Sequence, residues 1–562
     1  MMDLQRLALL GGIFAVLFLL LLQWNKFEAA RVPVKSAASQ ETLSSNTIAS
    51  ISTDTPTKDT APSDIPDVEA SSGVAANVAS NPSASSSSLI SVNTDVLNVK
   101  IDRLGGDIVM VSLPTYWAEL NTPEIAFELL NHTNEKTYIA QSGLIGKGGT
   151  DKNNSRPLFS AAQNNYSLQE DKDQLIVDLI LPEQNGIKIT KQFSFSRGEH
   201  VIDVVYLIDN RSLEEWQGSF FGQIKRDGSI PKTTSTGLKP FLGVATTTTE
   251  SHYKKMDFEE VEKNPLKITV EGGWIAMVQH YFISAWIGSP DETNTFTTRK
   301  LKNEGIYILG YTGPTKIIAP GTSGEIHSRF YAGPKTTHRL EEISPYLDLT
   351  VDYGWLWWVA KPIHWVLKYL HGFIANWGWS IVALTILIKI LLFPLSHKAY
   401  ISMGHMRKVA PKMSAIREQC GDDRQKLQAE MLKLYKTEKI NPMGGCLPML
   451  LQMPVFIALY WVLMESVELR HAPFVGWILD LSVMDPWFCL PILMGISMYF
   501  QQKMNPAPPD PMQAKVMQFL PIIFTFMFLW FPAGLVLYWL VNNLTSMAHQ
   551  AYINKLVERG EA

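Results

Sequence analysis

The sequence predicts a polytopic α-helical membrane protein of six spans that also carries a large all-β domain. Three observations support this fold class: an unbroken apolar run near the N-terminus, a long central region of short alternating segments, and five apolar segments in the last third of the chain. At 562 residues the chain has room for several domains. Its overall hydrophobic content of 46% is ordinary only because it averages over these contrasting regions.

An apolar run from Leu7 to Leu22 is the first element of the sequence. The run is longer than the apolar core of a usual signal peptide, and no small-x-small cleavage site follows it directly. Residues 1–26 are therefore expected to form an uncleaved N-terminal transmembrane anchor. A cleaved signal peptide is the alternative, because Arg6 precedes the run and the pair Ala29–Ala30 follows it.

Two regions of contrasting composition follow the anchor. Residues 27–88 are dominated by Ser, Thr, Ala, Pro and Asp, and they cannot bury enough apolar surface to offset the entropy of ordering, so a disordered tether is expected. Residues 89–345 instead contain short β-branched and aromatic runs such as QLIVDLILP and HVIDVVYLIDN, separated by Gly, Asn, Asp and Pro. This second region is predicted to be a soluble all-β domain, most simply a large sandwich.

Composition and motifs argue against several classes of function. The net charge of −4 argues against recognition of nucleic acid, and there is no GxxxxGK[ST] loop for ATP. The three cysteines all lie in the last third of the chain, so the central region holds no internal disulfide, and their spacing matches no zinc pattern. The β region contains no HExxH or GxSxG pattern. We therefore expect no catalytic residues, no metal and no cofactor.

An amphipathic helix is predicted at residues 346–372, where the sequence includes YGWLWWVAKPIHWVLKYLHGF. One face carries basic and histidine side chains at a spacing of three or four residues, and the opposite face is apolar, which is typical of a helix lying on a bilayer surface. The polar face is formed by Lys361, His364, Lys368 and His371. An ordinary surface helix of the β domain is the alternative, and the many tryptophans fit it poorly.

Five apolar spans follow and form a predicted membrane core over residues 373–552. They lie at about Phe373–Leu395, Cys446–Met464, Trp487–Gln502, Met517–Phe531 and Gly534–Tyr552. Residues 396–442 are polar, rich in Lys and Arg and interrupted by Gly421-Asp422-Asp423, which predicts a helical hairpin. The next loop has one arginine against four acidic residues. The positive-inside rule therefore places the hairpin, the N-terminus and the tail 553–562 in the cytoplasm, and the β domain outside.

Polar side chains inside the spans cluster at a similar depth. With 1.5 Å of rise per residue, Lys389 lies about 12 Å from the cytoplasmic end of its span and Gln452 about 10 Å from that of the next. The outer half of the bundle is apolar and aromatic. Such a distribution predicts a wet groove open to the cytoplasm and closed above. Its predicted lining is Lys389, Thr385, Gln452, Ser497, Gln518, Asn542 and Asn543.

Other interpretations of Lys389 remain open at this stage. Its stem could carry the ammonium group towards the inner headgroups, which would make the residue a snorkelling lysine. A proton-coupled transporter is less suitable, because no Asp or Glu lies inside any span and the polar residues stop halfway across. An intramembrane Ser/Lys hydrolase could use Lys389 as its base. Ser380 lies about 13 Å away along the helix and is too far, whereas Ser497 is geometrically open.

Two segments of the membrane region resemble the YidC/Oxa/Alb family of membrane insertases. They are NPMGGCLPMLLQMPVFIALYWVL (Asn441–Leu463) and FLWFPAGLVLYWLVNNL (Phe528–Leu544), in which Pro, Gly, Cys and Gln recur at particular places within apolar spans. The likeness covers the whole chain in its Gram-negative layout. It implies a periplasmic supersandwich at 89–345, a five-span insertase core and a location in the bacterial inner membrane.

The resemblance also implies roles for individual residues. The basic groove residue of the family, usually an arginine, falls at Lys389, which keeps the charge and loses the bidentate fork. Thr385 matches a threonine one turn away, and a tyrosine of the family falls at Trp539. A polar substrate segment would enter the groove, with Lys389 attracting its acidic residues, and the apolar helix of the substrate would then pass into lipid. The implied partners are nascent membrane proteins, membrane lipids and the Sec translocon, with the ribosome and the signal-recognition machinery as further candidates.

The cytoplasmic hairpin is the expected contact region for such partners, because the tail lacks the long basic extension of some relatives. Its methionines could offer an adaptable surface for nascent apolar segments. The other interpretation, which we prefer, is a seam between the two hairpin helices. The hairpin residues singled out are Met403, Met406, Arg407, Lys408, Met413 and Met431.

Overall fold

The computed structural model describes residues 64–66, 88–152, 155–231, 240–301, 304–421, 423–438, 447–505 and 511–559. The predicted N-terminal anchor and most of the predicted tether lie outside the described residues. The chain divides into two compact units, one formed by Pro62–Pro506 with Pro521–Ala562 and the other by Met1–Ala61 with Ala507–Leu520. All contacts described below lie within the first of these units.

A two-sheet β-sandwich occupies the region between Leu89 and Pro334, as predicted for the all-β domain. The described strands are β1 (Leu89–Asn93), β2 (Asn98–Asp102), β3 (Asp107–Trp117), β4 (Ala126–His132), β5 (Thr137–Ile145), β6 (Ser160–Ala161), β7 (Asn165–Ser167), β8 (Gln174–Ile180), β9 (Ile187–Ser196), β10 (Val201–Asn210), β11 (Trp216–Asp227), β12 (Gly243–Thr246), β13 (Lys254–Met256), β14 (Lys267–Glu271), β15 (Trp274–Val278), β16 (Phe282–Ile287), β17 (Thr293–Leu301), β18 (Ile306–Thr312), β19 (Lys316–Ile318) and β20 (Thr322–Pro334).

The strand order defines a larger and a smaller sheet. The larger sheet runs β14-β17-β18-β11-β5-β4-β3-β2-β1-β7, with β19 paired to β11. The smaller runs β13-β12-β15-β16-β20-β10-β9-β8-β6. Every described strand pair is antiparallel except β1 with β7. Side chains that alternate along each strand fill the space between the sheets; in β10, for example, Ile202, Val204, Tyr206 and Ile208 are buried while their neighbours are partly exposed. Each such burial stabilises the fold by about 1.5–3 kcal/mol.

The helices lie mostly after the sandwich. They are α1 (Phe258–Lys263), α2 (Thr337–Ile343), α3 (Trp357–Ile374), α4 (Trp377–Leu391), α5 (Phe393–Cys420), α6 (Arg424–Thr437), α7 (Leu447–Glu465), α8 (Cys489–Met504), α9 (Pro511–Phe528) and α10 (Ala533–Arg559). Judged by length and hydropathy, no single helix in the described residues could cross a bilayer, but the pair α4 and α5, bent by 70° at their junction, passes the same criteria together.

The segment predicted as the first core span, Phe373–Leu395, is not one helix. Helix α3 ends at Ile374, and α4 begins after Asn376, whose side chain accepts a 3.0 Å hydrogen bond from the backbone N–H of Trp379. Helix α4 then ends at Leu391, because Pro394 has no N–H to donate and its ring would clash with the preceding turn. Lys389 therefore lies in the last turn of α4, next to a sharp bend.

The polar segment after this bend forms the hairpin helices α5 and α6. Gly421 ends α5 with φ of +55°, a conformation that glycine adopts without strain, and Asp423 caps the start of α6 by accepting a 3.0 Å hydrogen bond from the N–H of Lys426. The last helix, α10, continues beyond the predicted end of its span to Arg559. Its final turns pack against α5 through Ile553 and Val557.

Helix α3 occupies most of the predicted amphipathic segment. Its buried side chains, Ala360, Ile363 and Leu367, belong to one apolar core with residues of α4, α7 and α10. Large aromatic side chains lie on its exposed surface: Trp357, Trp358, Trp365, Tyr369 and Phe373. Aromatic side chains of this kind suit the boundary between headgroups and hydrocarbon. The location of α3 on the bilayer surface stays a prediction, and the aromatic face is the one expected to contact the bilayer.

Part of the predicted tether contacts the sandwich, in contrast to the expectation of disorder throughout 27–88. Residues 64–66 lie against the larger sheet, where Ile65 is 7% exposed and Asp64 forms an ion pair with Lys225. The average composition of residues 27–88 did not reveal this contact, because it depends on only two residues, Asp64 and Ile65, whose partners lie on the larger sheet.

The smaller sheet is buried on both faces where it meets the helices. Along β15, Ile275 and Met277 face the sandwich core, whereas Trp274, Ala276 and Val278 join the apolar core shared with the helices. Two polar contacts lie at the same junction. Lys335 Nζ is 2.5 Å from the carboxylate of Glu465, with both side chains buried, and the His280 ring nitrogen Nε2 is 2.8 Å from the backbone carbonyl of Met464. The sandwich and the helices therefore share a continuous interface.

We expect Lys335→Met to destabilise this junction strongly. Removing the ammonium leaves the Glu465 carboxylate buried without its charged partner, which costs about 3–5 kcal/mol. The double variant Lys335→Met with Glu465→Leu removes both charges and should recover most of the loss. Thermal unfolding of the purified protein in detergent measures both effects. Equal midpoints for the wild type and Lys335→Met would contradict the importance of this pair.

His280 should make the stability of the protein depend on pH. Burial, helped by the nearby Lys335 ammonium, lowers the pKa of His280 to about 3, whereas an unfolded histidine titrates near 6.5. Below pH 6.5 the unfolded chain therefore binds a proton that the folded chain does not, and stability falls by up to about 1.4 kcal/mol per pH unit. The variant His280→Gln should lose this part of the pH dependence. Unfolding midpoints at pH 7.5 and 5.5 test the difference, and parallel pH profiles for the two proteins would contradict it.

Candidate functional site

The ammonium group of Lys389 is held by neutral oxygen atoms from two other helices. Lys389 Nζ donates to Ser546 Oγ of α10 at 2.7 Å and to Gln452 Oε1 of α7 at 3.3 Å. The neighbouring side chains Ile386 and Ile390 are exposed and apolar. No described hydrogen bond or ion pair joins Lys389 to a carboxylate. Its positive charge is therefore solvated by polar groups and is not neutralised.

These oxygen atoms belong to a hydrogen-bonded network between α7 and α10. Gln452 Nε2 donates to Asn542 Oδ1 and, at 3.3 Å, to the hydroxyl of Tyr538, while the hydroxyl of Ser546 donates to the backbone carbonyl of Asn542 at 2.7 Å. Tyr538, Asn542 and Ser546 lie four residues apart on one face of α10. The network thus orients the two groups that receive the Lys389 ammonium. We call Lys389, Gln452, Tyr538, Asn542 and Ser546 the lysine network.

Asn543 and Ser497 form a second contact that is separate from the lysine network. Asn543 Nδ2 donates to Ser497 Oγ at 3.1 Å, and Ser497 donates to the carbonyl of Met494 within α8 at 2.6 Å. Successive residues of an α-helix point about 100° apart, so Asn542 faces α7 while Asn543 faces α8. The prediction that Ser497 and Asn543 share one groove with Lys389 finds no support in the described contacts.

Three other predicted groove residues occupy different surroundings. Thr385 is 1% exposed and donates its hydroxyl to the carbonyl of Ile381, one turn earlier in α4, so it is part of the helix packing and is not a free donor. Trp539 packs edge-on against Phe456 with ring centroids 4.6 Å apart, whereas the neighbouring Tyr538 belongs to the lysine network. Gln518 is exposed on α9, and its assignment to the groove stays a prediction.

A cavity of about 310 Å³ lies beside Lys389, between α4, α5 and α10. Its polar lining includes Ser546, His549 and Tyr400, and the side towards α4 is apolar, with Ile386 and Ile390. The full lining is Ile386, Lys389, Ile390, Phe393, Ser396, Tyr400, Thr545, Ser546, His549 and Tyr552. Among the described residues, no Asp or Glu lines this cavity, so the Lys389 ammonium faces a space of mixed polar and apolar lining without a counter-charge.

Sequence reasoning missed Ser546, Tyr538, Tyr400 and His549. The first two lie one turn on either side of Asn542, so the helical spacing of four residues was a signal that could have found them. Tyr400 and His549 lie within two different helices, and only the packing of α5 on α10 brings their rings together, with centroids 4.9 Å apart.

The methionines of the hairpin mostly form the seam between its helices. Met413 and Met431 are buried in one apolar cluster that Met406 also contacts, and Met403 packs instead against α10 with Ile553 and Val557. Arg407 and Lys408 are exposed, and Lys408 donates to the carbonyl of Val557. This burial favours the seam over an open methionine surface. Lys408 and the end of α10 hold the hairpin to the rest of the bundle. The predicted contact of the hairpin with partners stays untested.

Two family models together match nearly all of the described chain. The YidC periplasmic domain matches residues 89–366, and the 60Kd inner membrane protein matches residues 369–560. The chain is similar to the membrane protein insertase YidC of Cellvibrio japonicus, with 52% identity over 100% of both chains, and to that of Pseudomonas entomophila, with 50% identity over 99% of both. A crystal structure of an active YidC insertase with its first transmembrane domain resolved is 18% identical, covers 83% of this chain and 92% of its own, and has a TM-score of 0.37.

The two matched regions together define a membrane protein with a periplasmic domain. The chain belongs to the YidC family of membrane protein insertases.

We expect the two adjacent asparagines to couple to different partners. In a double-mutant cycle, Gln452→Ala with Asn542→Ala should show about 0.5–1.5 kcal/mol of coupling, because the pair shares a partly buried hydrogen bond. The matched cycle of Gln452→Ala with Asn543→Ala should show less than about 0.5 kcal/mol. Unfolding free energies in detergent measure both cycles, and equal coupling in the two would contradict the division of the groove.

Proposed function

We propose that this chain inserts transmembrane segments into the bacterial inner membrane through the cavity beside Lys389. The observation that carries this proposal is an ammonium group with neutral partners only, facing a 310 Å³ cavity that no carboxylate lines. An uncompensated charge of this kind attracts a polar or anionic group that enters the cavity and leaves again. Membership in a family of membrane protein insertases supplies the class of substrate, namely nascent membrane proteins.

The proposed topology has six spans, with both termini in the cytoplasm and the sandwich in the periplasm. Its spans are the anchor 1–26 and five segments between residues 373 and 552, the first of which is bent at the junction of α4 and α5. The domains are the tether 27–88, the sandwich 89–345, the surface helix 346–372, the hairpin 396–442 and the tail 553–562. The family matches and the exposed aromatic face of α3 support this arrangement.

The proposed mechanism uses the two linings of the cavity. A short hydrophilic segment of the substrate enters beside Lys389, Ser546 and His549, which replace part of its hydration and attract its acidic side chains. The apolar helix of the substrate then moves past Ile386 and Ile390 into lipid. Transfer of this helix supplies about 0.8 kcal/mol per buried CH₂. The membrane potential adds about 2.3 kcal/mol per 100 mV for each negative charge that moves outward.

The proposed partners follow from the family and from the hairpin. Lipids surround the bundle, and the Sec translocon is a partner for substrates that the chain does not insert alone. The ribosome and the signal-recognition machinery would contact the exposed basic residues of the hairpin, Arg407 among them. No cofactor enters this mechanism.

A Ser/Lys hydrolase is the alternative that one contact favours, since Ser546 Oγ lies 2.7 Å from Lys389 Nζ. Ser546 was not the serine considered from the sequence, and Ser497 contacts Asn543 instead. For catalysis, a neutral lysine would have to accept the proton of the serine. In this structure the hydroxyl of Ser546 donates to the carbonyl of Asn542, and the ammonium of Lys389 donates to Ser546. The hydroxyl of Ser546 is thus engaged within its own helix, which favours a positive groove over a nucleophile.

We expect the charge at residue 389 to control insertion of acidic substrates. In proteoliposomes, Lys389→Ala and Lys389→Glu should reduce insertion of a single-span protein with an acidic outer tail by about tenfold or more, equivalent to about 1.4 kcal/mol. Lys389→Arg should retain activity because it keeps the charge. A matched substrate without acidic residues in its tail should be affected less by Lys389→Ala. Unchanged insertion of both substrates by Lys389→Ala would contradict the proposal and make Lys389 a snorkelling residue.

The variant Ser546→Ala separates the two functions. It removes one partner of the Lys389 ammonium but leaves the charge and the Gln452 contact in place, so an insertase should lose only part of its activity. A hydrolase would lose all turnover with this variant, and its wild type would release cleaved fragments of the substrate. Electrophoresis of the substrate after the insertion assay detects such fragments. Their presence with the wild type and absence with Ser546→Ala would contradict the insertase mechanism.

A further inference from the structure

The outer face of the larger sheet carries a small site that residues 64–66 occupy. Along β11, the side chains Phe220 and Ile224 point into the sandwich core, so the odd-numbered residues that alternate with them point to the opposite face. That opposite face presents Phe221, Gln223 and Lys225. Ile145 of the adjacent strand β5 and Arg299 of β17, which lies beyond β18, join the same face. We call Ile145, Phe221, Gln223, Lys225 and Arg299 the tether site.

The tether site makes a distinct contact with each part of an acidic–aliphatic dipeptide. Lys225 Nζ lies 2.9 Å from Asp64 Oδ2. The backbone carbonyl of Asp64 accepts two hydrogen bonds, from Gln223 Nε2 at 2.8 Å and from Arg299 Nη2 at 3.0 Å. The side chain of Ile65 is 7% exposed and packs with Ile145 and Phe221. The site therefore binds three groups of the dipeptide: the Asp64 carboxylate, the Asp64 backbone carbonyl and the aliphatic side chain of Ile65.

Buried interactions within the sandwich hold the side chains of the tether site in place. Gln223 Nε2 also donates to Gln141 Oε1 at 3.0 Å, and Arg299 donates to Gln223 Oε1 at 3.1 Å. Gln141 in turn donates to Asp107 Oδ2 at 2.9 Å, and Asp107 pairs with Arg156. Gln223 is 2% exposed. Side chains fixed in this way lose little entropy when a peptide binds, which favours recognition.

We propose that the tether site is a peptide-recognition site for a carboxylate followed by an aliphatic residue, and that its resident ligand is the chain's own Asp64-Ile65-Pro66. The sandwich is then attached to the N-terminal part of the chain at residue 64 as well as through the covalent connection to β1. The distance that the N-terminal segment can span from the sandwich is set by residues 27–63, at no more than about 3.6 Å per residue. This role is independent of the Lys389 cavity and of the proposed insertion mechanism.

A competition experiment with the full-length protein in detergent tests the tether site. The probe is a fluorescein-labelled peptide of residues 60–70, TAPSDIPDVEA. In the variant Asp64→Ala with Ile65→Asp, the resident segment is weakened and the site becomes accessible to the probe. Anisotropy should show saturable binding to this variant and at least tenfold weaker apparent binding to the wild type, because a tethered ligand competes at a high effective concentration.

Two controls identify the site of binding. Adding Lys225→Ala to the weakened variant should reduce probe affinity at least tenfold, whereas Lys188→Ala, which removes an exposed lysine from the smaller sheet, should leave the affinity unchanged. A probe carrying Asp64→Ala should bind at least tenfold more weakly. Absence of binding to the weakened variant at millimolar probe, or equal loss with Lys225→Ala and Lys188→Ala, would overturn the proposal.

Discussion

A positive charge inside an apolar helix is the constraint on which the helical region depends. Placing Lys389 in α4 requires polar atoms within reach of its ammonium, and α7 and α10 supply them through Gln452 and Ser546. These contacts link three helices around one charge. Because every described partner is neutral, the charge stays available to the adjoining cavity. The same interactions thus hold the helices together and create the electrostatic field that a substrate would meet.

The periplasmic sandwich packs directly against this helical region through a shared apolar core. Residues of β15 and β16 are buried on both faces, and the apolar core on one side continues through α2 and α3 to α7. The buried pair Lys335–Glu465 lies at the same junction. The apolar core and the buried ion pair together restrict how far the sandwich moves relative to the groove.

Much of the candidate site was predictable from the sequence, because a polar residue within an apolar run is conspicuous. Lys389, Gln452 and Asn542 were identified in this way, and Gln452 contacts each of the other two. The hydroxyl of Thr385 bonds within its own helix, and Ser497 and Asn543 contact each other, so the assignment of these three residues to the groove stays a prediction. The sequence analysis did not include Tyr538 and His549. A tyrosine or a histidine at these positions does not stand out in the sequence, and only the packing of α10 against the other helices gives each side chain its partner.

The sequence by itself determined the division into a β domain and an apolar helical region and the presence of a lysine with no acidic residue in the predicted spans, since both depend on local composition and periodicity. The resemblance to the family came from the motifs Asn441–Leu463 and Phe528–Leu544. The tertiary structure decided which of two adjacent asparagines joins Lys389, where the first core segment bends, and that Asp64-Ile65 docks on the larger sheet. These features depend on helix rotation and on contacts between residues far apart in the chain. A single segment of the sequence determines neither the rotation of a helix nor its distant contacts.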